Sequence, residues 1–370
     1  MKLLHLVIDD KFIDGAIREF EAVAPGASEY LMLDGRPPYR HVKEGRVRAV
    51  SAEGFAQEAA RADVAGVILH CLPPNHLPLL SAIPPGPMVA WLGWGYDYYG
   101  LLNDAFPEGL LGPETSALQA RLAGAPAPTV LSFARPYRKP TAGEIEALRR
   151  VDVFSPVLDT EYRLARRHQP WLRAEYLRWN YGTVEDDFSL PGAPAAPGPN
   201  LLVGNSATAP NNHLELFGLI RRRVDLGGRQ VVVPLSYGDP HYRRHVLEAG
   251  TRAFGAAFVP LVDFMPREDY IRTLASCGFA LMNHVRQQAL GNIYISALLG
   301  ARIFLDRRNP LLAWLRSQGL PIGDLEQLDT TPLGAAERDA QSSALHAGMG
   351  RAAQRERTRR LVERLRSRGG

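Results

Sequence analysis

Short apolar runs alternate with amphipathic stretches along most of this 370-residue chain. In the first half, apolar residues between polar turns predict strands over 3–8, 30–33, 47–50, 66–70, 88–94 and 151–155. The second half repeats the pattern, with strands over 201–203, 230–234, 257–261, 279–283 and 302–305 and helices over 214–223, 241–249, 267–276 and 293–299. Such alternation indicates parallel sheets flanked by helices, the α/β class.

The clearest change in composition separates these two series. Residues 190–200 hold four prolines and two glycines, which suit an extended linker and neither a helix nor a sheet interior. We therefore predict an N-terminal Rossmann-like domain over 1–188, a linker over 189–200, a C-terminal Rossmann-like domain over 201–335 and a helical tail over 336–370. Ligands of parallel sheets lie beyond the carboxyl ends of strands, so two domains facing a cleft suit group transfer or binding.

Composition narrows the class of protein. An apolar content of 46% with 22% charged residues is typical of a globular protein, and no apolar run reaches the length of a membrane span. The strand at 3–8 leads directly into Asp9, Asp10 and Lys11, which is wrong for a signal peptide, so we expect a cytoplasmic location. Cys71 and Cys277 lie in no zinc or disulfide pattern.

The net charge of +4 is concentrated at the end of the chain. Residues 351–370 contain eight arginines and two glutamates, so the remainder is slightly acidic. This tail is either a solvated helix or a basic surface for an anionic membrane, which would place the protein at the inner face of the inner membrane. No interleaved aromatic residues accompany it, so we expect no nucleic acid as a partner.

Three segments in the second half are candidates for contact with a ligand. Two of them, Gly204-Asn205-Ser206 and Ser236-Tyr237-Gly238, follow buried strands and combine glycine with hydrogen-bonding side chains. An ordinary strand-to-helix turn uses the same residue types. Tyr237 either stacks on a nucleobase or covers the end of the sheet.

The third segment leads into a helix. It presents Arg286, Gln287, Gln288, Gly291, Asn292 and Ile293 to a helix start, with no carboxylate between 283 and 296. Free N–H groups and the helix dipole favour a diphosphate there, and Arg286 adds a bidentate contact. A polar loop with Asn309 follows the next strand. No Gly-x-x-x-x-Gly-Lys-Ser/Thr is present, nor a Gly-x-Gly-x-x-Gly after the first strand, which argues against NTPases and dinucleotide-dependent dehydrogenases.

In order and spacing, these segments resemble bacterial 4-acetamido-4,6-dideoxy-galactose transferases. These are the dTDP-N-acetylfucosamine:lipid II N-acetylfucosaminyltransferases of enterobacterial common antigen, glycosyltransferase family 56. The resemblance is carried by 201–205, 231–238, 270–277, 286–291 and Asn309-Pro310 and, more weakly, by His5 to Asp14 and Trp91 to Tyr98. It implies a GT-B fold, a nucleotide-sugar on the C-terminal domain, a glycan or lipid-linked acceptor on the N-terminal domain, and no cofactor or metal. The acceptor segments contain Lys11, Trp94, Gly95 and Tyr98.

The residues themselves agree with metal independence, since no Asp-x-Asp stands between apolar strand residues. The helix amides and Arg286 would stabilise the leaving diphosphate instead. A general base is expected on the N-terminal side, and the candidates are Asp97, Asp9 and Asp10, each of which also suits a capping or turn role. His70, His76, His213 and His284 qualify only by residue type.

The leading hypothesis is transfer of a deoxy-amino or related hexose from a dTDP-sugar to a glycan on a polyprenyl diphosphate, in bacterial surface polysaccharide assembly. An epimerase acting on a nucleotide-sugar uses similar domains but needs several convergent acid/base residues. A binding module without catalysis is the alternative from another class.

Overall fold

The computed structural model describes residues 1–124, 137–192 and 196–367 and divides them into two compact units. The first unit contains 1–107, 137–183 and the chain from 349 onward. The second contains the segment that starts at Glu108 and residues 184–348. Each unit has its own parallel sheet and its own hydrophobic core.

The first sheet has seven parallel strands in the order β3-β2-β1-β4-β5-β6-β7. They are β1 (Lys2–Val7), β2 (Ser28–Leu33), β3 (Val47–Val50), β4 (Val64–His70), β5 (Met88–Leu92), β6 (Val153–Ser155) and β7 (Glu175–Tyr176). Every residue of β4 and β5 is buried, because helices cover both faces of a parallel sheet. The helices of this unit are α1 (Ile13–Val23), α2 (Ala52–Ala59), α4 (Ala142–Leu148), α5 (Asp159–His168) and α12 (Arg351–Arg366).

The second sheet has six parallel strands in the order β10-β9-β8-β11-β12-β13. They are β8 (Asn200–Val203), β9 (Val231–Pro234), β10 (Phe258–Leu261), β11 (Cys277–Met282), β12 (Arg302–Leu305) and β13 (Gly323–Asp324). Its helices are α3 (Pro113–Leu122), α6 (His213–Arg223), α7 (Pro240–Phe254), α8 (Arg267–Ala275), α9 (Leu290–Leu298), α10 (Pro310–Ser317) and α11 (Ala335–Met349).

Both sheets reverse their strand order at one point. The order runs outward from β1 to β3 on one side and from β4 onward on the other, and β8 and β11 repeat that reversal in the second unit. The loops that follow these central strands diverge to opposite faces and leave a crevice at the carboxyl edge, where ligands of doubly wound sheets bind. The predicted α/β class with two Rossmann-like domains is confirmed.

The predicted linker is not the boundary between the units. The chain enters the second unit at Val184, before the proline-rich stretch. The ring of Phe188 lies 5.3 Å from the ring of Tyr294 on α9, and Arg267 of α8 donates to the carbonyls of Asp187 and Ser189. These contacts attach 184–189 to the second unit. Residues 193–195 of the predicted linker lie outside the described residues.

The segment containing α3 also differs from the prediction, which placed it in the N-terminal domain. It belongs to the second unit, because Glu215 of α6 accepts hydrogen bonds from the N–H and hydroxyl of Thr115 at 2.8 and 2.6 Å. The side-chain oxygen of Asn212 accepts the N–H of Gly112 at 2.8 Å.

The predicted tail is divided between the two units. Gln341 of α11 donates to the carbonyls of Ala297 and Ala301 in the second unit. Helix α12 instead packs on the first unit, where Leu361 and Leu365 are fully buried. The indole N–H of Trp179 donates to the Thr358 hydroxyl at 3.0 Å. The tail is therefore part of both cores. Across the described ranges, no helix combines the length and apolar character needed to cross a membrane.

We predict that Leu361→Ala lowers the free energy of unfolding of the first unit by about 3 kcal/mol, because a buried leucine truncated to alanine leaves a cavity. Denaturation followed by tryptophan fluorescence suits this test, since Trp91, Trp94, Trp171 and Trp179 all lie in the first unit. Exposed Arg360→Ala is the control and should change the value by less than about 0.5 kcal/mol. An unchanged transition in Leu361→Ala would contradict the packing of α12.

Candidate functional site

The loops after β8, β9 and β11 meet at the carboxyl edge of the second sheet. The Gln288 amide donates to the Asn205 side-chain oxygen at 2.8 Å, and the Asn205 amide donates to the Tyr237 hydroxyl at 2.9 Å. Gln288 and Asn205 are buried, whereas Tyr237 is 50% exposed. Three side chains proposed from three separate segments therefore form one hydrogen-bonded line. The Tyr237 ring is therefore exposed to solvent, while its hydroxyl is held by Asn205.

A close backbone approach joins the loops after β8 and β9. Gly238 adopts a φ of 121°, and a Cβ atom there would lie 2.4 Å from the Ala207 carbonyl oxygen. The Ala207 N–H donates to the Tyr237 carbonyl at 2.8 Å, and the Asp239 N–H donates to the Ala207 carbonyl. Gly238 therefore serves backbone packing. Ser236 is half-buried beside this contact.

Gly204 has a similar steric role. It has a φ of 67°, and a Cβ atom there would lie 2.7 Å from the Asn211 side-chain oxygen. Ser206 is buried and accepts the Asn211 amide at 3.2 Å, so its hydroxyl belongs to the local hydrogen-bond network.

Asn211 and Asn212 hold these loops together. The Asn211 oxygen accepts the Asn205 N–H at 2.9 Å and hydrogen-bonds to Nε2 of His284 at 2.8 Å. Asn212, at a φ of 50°, donates to the Asn283 carbonyl, and the Asn283 amide donates to the Asn212 carbonyl. The adjacent asparagines are the feature of the sequence that indicates this turn, because asparagine tolerates the left-handed conformation that Asn212 adopts. These pairings connect the loops after β8 and β11.

Helix α9 begins at Leu290, three residues earlier than predicted. The N–H groups of Leu290, Gly291 and Asn292 lie in its first turn, where a helix offers no intrahelical acceptors. The Ile293 N–H already donates to the Ala289 carbonyl at 2.9 Å, and its side chain is fully buried. Contrary to the prediction, Ile293 therefore offers neither a free N–H nor an exposed side chain to a nucleotide-sugar. The Asn292 amide donates to the Tyr270 hydroxyl at 2.9 Å.

Arg286 supplies a cation beside this helix start. Its side chain is only 6% exposed, and Nη1 donates to the Gln287 carbonyl at 2.8 Å, which folds the guanidinium against its own loop. Gln287 is buried as well. A buried guanidinium is less screened by solvent than an exposed one, so its attraction for a phosphate is stronger.

Asn309 has a bracing role rather than the predicted contact with a ligand. Its amide donates to the carbonyls of His284 and Arg286 at 2.8 and 2.9 Å, and its oxygen accepts the Leu311 N–H at 2.9 Å. With its donors and its acceptor in use and 2% of its surface exposed, Asn309 fixes the loop that carries Arg286.

A cavity of about 250 Å³ lies farther along the same edge, near β12 and β13. Five carboxylates line it: Glu108, Glu215, Asp306, Asp324 and Glu326. Its two arginines are paired with carboxylates, Arg308 with Asp306 at 2.8 Å and Arg307 with Glu326 at 3.0 Å. This acidic lining repels a diphosphate, in contrast to the segment around Arg286.

In the first unit, Asp9 follows β1 and holds a loop. Its carboxylate accepts the N–H groups of Arg40, His41 and Val42 at 2.7 to 3.0 Å. Burial alone would raise the pKa of Asp9, but these three backbone hydrogen bonds outweigh it and lower the pKa. A carboxylate stabilised in this way is a weaker base, which argues against Asp9 as the proton acceptor.

Asp97 is likewise engaged in structural hydrogen bonds. Its carboxylate accepts the Trp91 indole N–H at 2.8 Å and the N–H groups of Trp94 and Leu72 at 2.8 and 3.0 Å. Burial raises the pKa of Asp97 in spite of these donors. Both oxygens connect the loops after β4 and β5, so a bracing role fits Asp97 better than the predicted catalytic one.

Asp10 differs from its two neighbours in the candidate set. One carboxylate oxygen accepts the Phe12 N–H at 3.1 Å. Burial raises the pKa of Asp10 above its ordinary value, although that hydrogen bond and Lys11 oppose the shift. A raised pKa favours proton uptake, which separates Asp10 from Asp9. Burial raises the pKa of Asp97 as well, but Asp97 accepts three hydrogen bonds that hold it in place, whereas Asp10 accepts one local N–H. Asp10 therefore suits a general base better than either.

The predicted acceptor residues fall into two groups. Tyr98 is 1% exposed, and its hydroxyl donates to Glu161 at 2.6 Å and accepts the Val157 N–H, so it belongs to the core rather than to an acceptor site. Lys11 is exposed and Trp94 half-buried, and both remain candidates. Gly95 is buried with a φ of 106°, so it shapes the turn after β5.

Known structures share this fold along the whole chain. An UDP-forming α,α-trehalose-phosphate synthase from Burkholderia xenovorans has a TM-score of 0.65 at 10% identity, covering 100% of both chains. HepE from Anabaena, solved with UDP and glucose, has a TM-score of 0.62 at 11% identity over 99% of this chain and 100% of its own. The α,α-trehalose 6-phosphate synthase from Burkholderia multivorans has a TM-score of 0.60 at 12% identity, with 99% and 98% covered. These likenesses establish the GT-B fold.

A family model sharpens the class. The protein is a glycosyltransferase, since residues 178–344 match the model described as 4-alpha-L-fucosyltransferase, glycosyl transferase group 56. This segment contains β8 to β13 and every proposed donor residue. The match confirms, over these residues, the resemblance to glycosyltransferase family 56.

Gly291 offers a test in which stability and binding change in opposite directions. A Cβ atom at this position would meet nothing within 4 Å, so the fold does not require glycine there. We predict that Gly291→Ala raises the free energy of unfolding by about 0.5–1 kcal/mol, because alanine favours helix, yet weakens dTDP binding by obstructing the first turn of α9.

Gly143→Ala is the matched control, since Gly143 is also the second residue of its helix and is equally unobstructed. It should raise stability and leave dTDP affinity unchanged. Calorimetric titration with dTDP measures the affinities. Equal affinity in Gly291→Ala and the wild type would contradict a nucleotide site at the start of α9.

Proposed function

We propose that this glycosyltransferase moves a deoxy-amino or related hexose from a dTDP-sugar to a glycan acceptor carried on a polyprenyl diphosphate. The acceptor hydroxyl oxygen forms a bond to the anomeric carbon, and the bond from that carbon to the diphosphate oxygen breaks. The hydroxyl proton passes to a carboxylate, and dTDP leaves. The proposal extends the family match, which supports the reaction class.

The observation that carries the donor side is the arrangement around the start of α9. The first-turn amides from Leu290 to Asn292 and the Arg286 side chain belong to one loop-helix segment that contains no carboxylate. Amide dipoles and a buried guanidinium stabilise the charge that develops on a leaving diphosphate. We propose metal-independent catalysis on this basis. The exposed ring of Tyr237 is the proposed contact for the nucleobase.

On the acceptor side, we assign the general base to Asp10. The carboxylates of Asp9 and Asp97 each accept three hydrogen bonds from the protein, whereas Asp10 accepts one local N–H. Burial raises the pKa of Asp10, whereas the pKa of Asp9 is lowered by its backbone hydrogen bonds. Lys11 beside it would attract the phosphate groups of a lipid-linked acceptor.

The packing of α12 leaves a basic face exposed. Leu361, Val362 and Leu365 are buried, while Arg355, Arg359 and Arg360 are exposed. Arg359 and Arg360 share Glu356 as an ion-pair partner. We propose that this folded basic face, rather than a free tail, attracts the anionic inner membrane surface, in a protein acting at the cytoplasmic face in bacterial surface polysaccharide assembly.

The direct test incubates the protein with dTDP-, UDP- and GDP-hexoses, with and without polyprenyl-diphosphate glycans, and follows products by mass spectrometry. We expect dTDP release and a glycan heavier by one sugar only when acceptor is present. Conversion of the donor without acceptor would establish an epimerase instead, and nucleotide binding without turnover would establish a binding module. EDTA should leave the rate unchanged, and a strict requirement for Mg²⁺ would overturn the metal-independent proposal.

The assignment of Asp10 predicts a specific dependence on pH. A base must be deprotonated to act, and burial raises the Asp10 pKa above its ordinary value. The value of kcat/KM should therefore fall as the pH drops through this raised pKa. Asp10→Asn should lower kcat by about 10²–10⁴-fold and abolish this acid limb, with dTDP affinity retained. Exposed Asp63→Asn, which alters an ion pair with Arg61, is the control. An unchanged pH profile in Asp10→Asn would contradict the assignment of Asp10 and leave Asp9 and Asp97 as the candidate bases.

A further inference from the structure

An aromatic side chain is exposed next to the proposed base. Phe12 lies in the turn between β1 and α1 and is 40% exposed. Its N–H donates to the Asp10 carboxylate at 3.1 Å, so the ring and the carboxylate share one short turn.

Two other rings support Phe12 from within the unit. The ring centroid of Trp94 lies 5.4 Å from that of Phe12, and the Tyr181 centroid lies 5.6 Å away. Trp94 and Tyr181 contact each other edge-to-face at 5.4 Å. These distances are in the range of favourable aromatic pairs, so the three rings form one packed surface.

A buried hydrogen-bonded chain fixes Tyr181 in turn. The Tyr181 hydroxyl hydrogen-bonds to His70 at 2.8 Å, His70 to His5 at 2.9 Å, and His5 to the Ser28 hydroxyl at 3.1 Å. Burial lowers the pKa of His70 to about 3, so its imidazole is neutral at physiological pH. A fully buried anchor of this kind makes the aromatic surface rigid, which lowers the entropic cost of binding a ligand on it.

We propose that Phe12, supported by Trp94 and Tyr181, stacks against the pyranose ring that carries the attacking hydroxyl of the acceptor. The proposal rests on the proposed function and names the part of the acceptor that this turn recognises. A pyranose is small enough to contact Phe12 while one of its hydroxyls reaches Asp10, because both residues lie in one turn. A polyprenyl chain is separated from that hydroxyl by the diphosphate. The carbon face of a pyranose matches the exposed ring, and its hydroxyls match the polar groups around it.

The charges beside Phe12 favour the same ligand. The Lys11 Nζ lies 5.3 Å from the centroid of the Phe12 ring, and the Asp10 carboxylate accepts the Phe12 N–H in the same turn. Phe12 is exposed, but Trp94 is half-buried and Tyr181 is buried. So small an apolar area beside charged groups is a poor site for a lipid chain, which needs an extended apolar surface. It suits an amphipathic sugar.

The test compares Phe12→Ala, Phe12→Leu and Phe12→Trp in the transfer assay. We expect Phe12→Ala and Phe12→Leu to raise the acceptor KM about tenfold, with the donor KM unchanged. Phe12→Trp should keep an acceptor KM close to that of the wild type, because only an aromatic ring stacks on the sugar. Phe264→Ala, in the second unit at a residue 77% exposed, is the control for loss of a surface phenylalanine. A wild-type acceptor KM in Phe12→Ala or Phe12→Leu overturns the proposal while leaving the transfer reaction intact.

A second readout does not depend on turnover. Saturation-transfer NMR with methyl pyranosides of glucose, galactose and N-acetylglucosamine should show transfer to protons on one face of the ring in the wild type, lost in Phe12→Ala and regained in Phe12→Trp. If no donor–acceptor pair reacts but this pattern is found, the proposed function fails and the sugar-binding surface stands. Equal transfer in Phe12→Ala and wild type overturns the surface.

Discussion

The buried carboxamide of Asn211 joins the loops on both sides of the strand-order reversal in the second sheet. Its oxygen accepts the Asn205 N–H and hydrogen-bonds to His284, and its nitrogen donates to the Ser206 and Thr208 hydroxyls. An unpaired buried polar group costs about 1–3 kcal/mol, so the two loops adopt conformations that satisfy this amide together. The positions of the Asn205 side chain and of the segment leading to α9 follow from that constraint.

The two units use carboxylates and amides differently. In the second unit, the proposed site is made mainly of backbone N–H groups and amide side chains, which carry no charge and need no protonation change. In the first, three aspartates with the same chemistry differ only in their partners. Asp9 and Asp97 each accept three hydrogen bonds and hold loops, whereas Asp10 accepts a single local N–H. The three aspartates therefore differ in their surroundings and not in their chemistry, which is the basis for proposing Asp10 as the base.

Most of the architecture could be predicted from the sequence, since buried parallel strands give uninterrupted apolar runs; β3 and β12 begin and end where predicted. The two-residue strands β7 and β13 were missed because two residues carry no periodicity. The donor segments could be placed because glycine and polar residues follow strands, and Gln288, Asn205 and Tyr237 do meet. The roles of Asn309 and Tyr98 could not be predicted from the sequence, because both depend on partners distant in the chain. The boundary between the units was predicted at the proline-rich stretch for the same reason, because its true position depends on the packing of 184–189 on the second unit.

The placement of α12 has a consequence for how the chain acquires its structure during synthesis. The ribosome produces 184–348, the bulk of the second unit, before the residues that complete the core of the first. Until α12 emerges, the surface formed by Leu3, Phe20 and Met88, which Leu361 and Leu365 cover, is left uncovered. The second unit can therefore complete its fold first, which reverses the usual N-terminal-first order, and the nascent first unit must avoid aggregation in the meantime.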